Sequence, residues 1–162
     1  MSEERRYATV VAAFTTVLYL AMLVAAFGLI SLYTNLEVID LADAGPLVGP
    51  TMSGVATLVV FAFLVSIGWG ATADNQRISS ARALGVGFAA YVAFVLAGGV
   101  VYSIGNGQPL EFLTFTFHEF GSWFSISAGI LALIATFAYQ AVLVGRFQQR
   151  GRPQWPWERK GP

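Results

Sequence analysis

His118 and Glu119 are the pair in this chain whose residue types and spacing best suit chemistry. An imidazole beside a carboxylate can relay a proton. With Glu111 two helical turns earlier, and Asp40 or Asp43 from another loop, the pair could also contribute ligands to a metal ion. The spacing argues the other way. Neighbouring residues on a helix point in different directions, and one histidine is thin for a transition metal. The preferred reading is an interfacial histidine followed by a carboxylate that caps the N-terminus of the next helix. Glu111, His118 and Glu119 stand as metal candidates behind that reading, and no cofactor is expected.

Other chemistry is excluded more directly. The chain has no Cys, which removes disulfides, thiolate metal sites and Fe–S ligation. A single His removes a bis-His haem within one protomer. There is no Gly-x-Ser-x-Gly, P-loop or dinucleotide motif, and Gly85-x-Gly87 lies inside an apolar run. No catalytic residue is assigned. Nucleic-acid binding is not expected, because the basic residues are dispersed and no recognition motif accompanies them.

The elements that must position these residues are hydrophobic runs. Of 162 residues, 56% are hydrophobic and 11% charged, against roughly a quarter charged in a soluble domain. Four runs, at about 7–33, 51–73, 81–104 and 120–145, are each long enough to cross a bilayer and apolar around their whole circumference. Backbone polar groups in hydrocarbon must be satisfied within the segment, so the runs are expected to be helices. The fold class is therefore all-α, an integral membrane four-helix bundle over 1–146. The tail, 147–162, is rich in Pro and Gly and reads as irregular. The first run far exceeds the apolar core of a signal peptide and reads as an uncleaved anchor.

Charge orients the bundle. Arg5 and Arg6 precede the first run, Arg77 and Arg82 link the second to the third, and Arg146, Arg150, Arg152, Arg159 and Lys160 follow the fourth. The other two loops carry no Lys or Arg, but hold Glu37, Asp40, Asp43, Glu111 and Glu119. By the positive-inside rule both termini are cytoplasmic. In the first outer loop, Asn35–Ala44 could form a short helix capped by Asn35. In the second, the Phe density of 112–120 without basic residues fits a segment lying at the outer interface or partly re-entrant. It reads either as a helix or as an extended segment, because Leu113, Phe115 and Phe117 alternate with Thr114, Thr116 and His118.

Helix association in lipid favours small residues at four-residue spacing. The third run offers Ala81, Gly85, Ala89, Ala93 and Ala97, and the fourth offers Gly121, Ser125 and Gly129. The second offers Gly54, Ala62, Ser66 and Gly70. Packing within one bundle is the preferred reading of these rows, and a seam with another chain is the alternative. Gly98-Gly99 reads as a small-residue contact or a tight crossing. The span cores hold no Asp, Glu, Lys, Arg or His, which argues against a proton-coupled transporter. Thr136, Tyr139, Gln140 and their like suit helix–helix hydrogen bonds instead.

The tail is the most distinctive segment. Arg150, Arg152, Arg159 and Lys160 suit anionic headgroups, and Trp155 and Trp157 suit the headgroup layer or a protein partner. The Ala/Val/Gly-rich spans, the preference for Arg over Lys and the Arg152-Pro153-Gln154-Trp155-Pro156-Trp157-Glu158 tail resemble an uncharacterised family of small four-span actinobacterial membrane proteins. The resemblance implies a plasma or inner membrane location and carries no site residue. The expected role is a non-enzymatic structural or accessory subunit of a membrane complex, in contact with the lipid bilayer and with a membrane protein partner or further copies of itself. A small oligomeric channel or transporter using Ser66, Thr136 and Gln140 is the alternative, and an outer-face metal or enzymatic site at His118 ranks third.

Overall fold

The computed structural model describes residues 3–39, 45–70 and 78–150, the last four of these as backbone only. It contains five helices: α1 (Glu3–Thr34), α2 (Val48–Trp69), α3 (Ser80–Asn106), α4 (Glu111–Glu119) and α5 (Trp123–Arg150). Helices α1, α2, α3 and α5 are long and apolar enough to cross a membrane. No strand occurs among the described residues.

The structure decides one open loop reading and corrects another. The Phe-rich stretch is helical: Phe115 and Glu119, one turn apart, are buried, whereas Leu113 and Phe117 are exposed. An extended segment would have put Leu113, Phe115 and Phe117 on one face. A turn at Phe120–Ser122 then delays the last long helix to Trp123. Asn35 does not start a helix. Its φ of 52° places it in the left-handed region, where it ends α1. Residues 35–39 are irregular, and 40–44 lie outside the described residues.

The long helices form a closed ring in which α1 and α3 each pack on both α2 and α5, while α4 lies on α3. Phe27 joins three helices, edge-on to Phe94 at 5.6 Å and to Phe124 at 5.3 Å. Tyr19 donates to the Ala128 carbonyl and Tyr139 to the Ala8 carbonyl, each at 3.2 Å, tying α1 to α5 at two depths. Gln140 grips the start of α3: its Oε1 accepts from the Ser79 amide at 2.6 Å, and its Nε2 donates to the Ser79 carbonyl at 3.4 Å.

The rows of small residues meet the ring only in part. Ala81 and Gly85 are exposed, Ala89, Ala93 and Ala97 are half-buried, and a Cβ on Gly85 or Gly121 would meet nothing within 4 Å. In the second row Ser125 is buried and Gly129 half-buried. Gly54, Ala62, Ser66 and Gly70 all face outward. The reason is helical drift. Each i to i+4 step rotates about 40° at 3.6 residues per turn, so a five-member row winds around the helix and cannot meet one partner along its length. Helices α3 and α5 meet backbone to backbone at Gly87, which is outside the third-run row, and Gly129, which belongs to the fourth-run row.

Candidate functional site

The four-helix ring has a basic and an acidic end. Arg5, Arg6, Arg82 and Arg146 gather where α1 and α3 begin and α5 finishes, with the Arg146 guanidinium stacked 3.6 Å above the Tyr7 ring. Trp69 Nε1 donates to Thr9 Oγ1 at 3.1 Å at the same end. Glu37, Glu111 and Glu119 lie at the opposite end, where no described Lys or Arg is found.

Two glycines set the position of α4. A Cβ on Gly98 would lie 2.4 Å from Phe115 Cε1 and 2.7 Å from Met52 Sδ, and one on Gly99 would lie 2.6 Å from Thr116 Oγ1. Only glycines let the short helix settle so closely on α3. Phe115 also meets the Tyr102 ring at 5.0 Å. At the start of α4, Glu111 Oε2 accepts from Asn106 Nδ2 at 2.7 Å, across a turn in which Gly107 adopts a φ of 68°.

The docking buries Glu119. Its side chain is 2% exposed, against 54% for His118. Glu119 Oε1 lies 3.7 Å from His118 Nδ1, and Oε2 accepts from Ser125 Oγ at 3.4 Å. Both contacts are longer than a strong charge-assisted hydrogen bond. Burial pushes the Glu119 carboxyl above its usual range, and Ser122, His118 and Ser125 draw it back in part. Glu119 does not cap α5 as expected: Ser122 does, its Oγ accepting from the Phe124 amide at 3.3 Å. The carboxylate meets serine side chains rather than backbone N–H groups.

Glu119 and His118 line a recess of about 320 Å³ with Glu37, Ser122, Trp123 and Phe124. A larger apolar cleft of about 650 Å³ opens beside it between α1 and α2, and Glu37 and Val38 line both. Val38 and Ile39 pack over Gly49, within 3.9 Å of where its Cβ would stand, which fixes the loop that carries Glu37.

One family matches, described as a family of unknown function, DUF6121, and the match covers residues 1–162. The chain belongs to DUF6121. No curated protein and no solved structure matches this DUF6121 chain.

The remaining expected residues of this DUF6121 protein fall as follows. Glu111 is held by Asn106 and does not line the recess, so the three metal candidates are not brought together. Among the described residues no group of three His, Asp or Glu side chains could hold a metal ion. Ser66 faces outward, Thr136 is buried with its hydroxyl on the Ala132 carbonyl, and Gln140 is engaged by Ser79. The three share no surface. Arg152, Trp155, Trp157, Arg159 and Lys160 lie outside the described residues, and Arg150 is placed only as backbone of α5. Glu37 and Trp123 were missed as site residues. Glu37 carried one sequence signal, an acid in a loop without basic residues, and nothing in the sequence paired it with Glu119.

Proposed function

We propose that this DUF6121 protein is a non-enzymatic, four-span plasma-membrane protein with its basic end in the cytoplasm, serving as a structural or accessory subunit of a membrane complex. One observation carries the reading. A shallow groove about 300 Å³ in volume runs over the Gly87–Gly129 crossing, rimmed by Leu84, Phe88, Ile126 and Ile130, and the small residues Ala81 and Gly85 face outward on the same helix. Outward-facing small residues let the backbone of a further helix approach closely, which lipid alone does not require. The apolar interior, with Gln140 and Thr136 engaged internally, supports a packed element over a conduit. The channel reading ranks second, because Ser66, Thr136 and Gln140 do not share a face.

Gentle detergent extraction followed by native mass spectrometry tests it. A partner or second copy should accompany the full chain and be lost on Gly85→Ile or on removal of 147–162. A monodisperse monomer from native membranes, unaltered by either change, overturns the proposal.

A further inference from the structure

The geometry points to a binding site for an amphiphile with an ammonium head, the head between Glu37 and Glu119 and the chain in the cleft between α1 and α2. Two cavities of opposite character meet at this end. The recess beside α4 presents Glu37, Glu119, His118 and the Trp123 ring. The adjoining cleft is walled by Leu20, Val24 and Phe27 of α1 and by Pro50 and Gly54 of α2. Glu37 and Val38 belong to both walls, so a head in the first cavity stands next to a chain in the second.

Charge selects the head. No described Lys or Arg stands at this end, and an anionic head would face two carboxylates without a fixed cation. Glu119 is almost wholly buried, and its contacts with Ser125 at 3.4 Å and His118 at 3.7 Å, with Ser122 beside them, are long and leave its oxygens able to accept from a further donor. A buried carboxylate in that condition either keeps a proton or takes a cation. An ammonium brings up to three N–H donors, and Trp123 at the rim adds an aromatic surface that attracts such a cation. The raised affinity of Glu119 for a proton fits the same picture, since an arriving ammonium would displace that proton.

The chain follows from the cleft. Its walls are apolar, it opens towards the surroundings of the helices, and Gly54 leaves room within it: a Cβ there meets nothing within 4 Å. An amine-headed phospholipid from the bilayer and a free long-chain amine share this chemistry.

The full chain in dodecyl maltoside, titrated with dodecylammonium and, in parallel, with dodecanol, decides the matter by native mass spectrometry and thermal unfolding. Dodecylammonium should bind one to one and raise the unfolding temperature, and dodecanol should do neither. Glu37→Gln, at an exposed position that leaves folding intact, should weaken binding about fivefold or more, which corresponds to about 1 kcal/mol. Gly54→Phe, which fills the cleft, should weaken it at least as much. Equal binding of dodecanol, or unchanged affinity in both variants, overturns the assignment. Lipid analysis of protein taken from native membranes separates the sources. Enrichment of amine-headed phospholipid over phosphatidylglycerol, lost in Glu37→Gln, identifies the bilayer. Dodecylammonium binding without that enrichment identifies a free amine.

Discussion

Gly87 and Gly129 meet backbone to backbone. A Cβ on Gly87 would lie 2.9 Å from the Gly129 carbonyl oxygen, and one on Gly129 would lie 3.2 Å from the Gly87 carbonyl oxygen. Backbone cannot move aside as a flexible side chain can, so this crossing tolerates no methyl group. Gly87→Ala should destabilise the bundle by about 1–3 kcal/mol through overpacking. Gly85→Ala, two residues away in open space, should be neutral or stabilise by about 0.5–1 kcal/mol through reduced backbone freedom in the unfolded chain. Unfolding in SDS measures both, and equal effects would refute the placement of the seam.

Gln140 supports the first turn of α3 from α5. The Ser79 carbonyl also accepts from the Ala83 amide at 3.2 Å, so the Ser79 N–H depends most on Gln140. Gln140→Leu should cost about 1 kcal/mol by leaving that half-buried donor without its partner. Gln140→Glu keeps an accepting oxygen for that amide but loses the Nε2 donor to the Ser79 carbonyl, so it holds both bonds only when its carboxyl is protonated. Amide exchange at Ser79 should quicken in the Leu variant and stay slow in the Glu variant.

Glu119 makes stability depend on pH. Its carboxyl holds a proton to higher pH in the folded chain than in the unfolded one, chiefly through burial. The native state therefore binds more protons from about pH 4.3, the ordinary value for a glutamate, up to the raised folded value. Stability is highest below that window and falls as pH rises through it. Glu119→Gln should flatten the fall and unfold at an equal or higher temperature than the parent above the window. A parent protein whose stability climbs with pH there would contradict the burial of this carboxyl.

Gly98 holds α4 down. Gly98→Leu should lift α4 from α3, because Phe115 and Met52 already occupy the space. The chain has no Cys, so a single Thr116→Cys reports the event cleanly. The Thr116 hydroxyl is buried without a hydrogen-bond partner, and its replacement should disturb little. Thiol labelling at 116 should accelerate about tenfold or more with Gly98→Leu and remain unchanged with Gly105→Leu, where space is open. A local opening that becomes 1.4 kcal/mol easier gives roughly that factor.

The number of long helices, their approximate limits and the separation of basic from acidic ends were readable from the sequence, because each depends on nothing beyond local composition. A run such as 51–73 is apolar whatever its neighbours are, and the structure places α2 at Val48–Trp69. The helical form of 111–119 was not decided by its own pattern, which suits two conformations; contact with Gly98 and Gly99 selects one. The seam was legible only in part, since Gly129 belonged to the fourth-run row but Gly87 did not belong to the third-run row. Spacing in a sequence identifies a row on a helix, but not which side of that row meets a neighbour, and the drift of the row carries Gly85 outward while Gly87 turns in. The candidate site is a product of tertiary structure alone. His118 and Glu119 were visible as residues, yet the burial of Glu119 and exposure of His118, and the arrival of Glu37 from the loop after α1, arise only when the ring closes and α4 docks. Hydrophobic patterning acts along the chain and survives in the sequence; the meeting of distant carboxylates depends on the path of the whole backbone, which no local signal encodes.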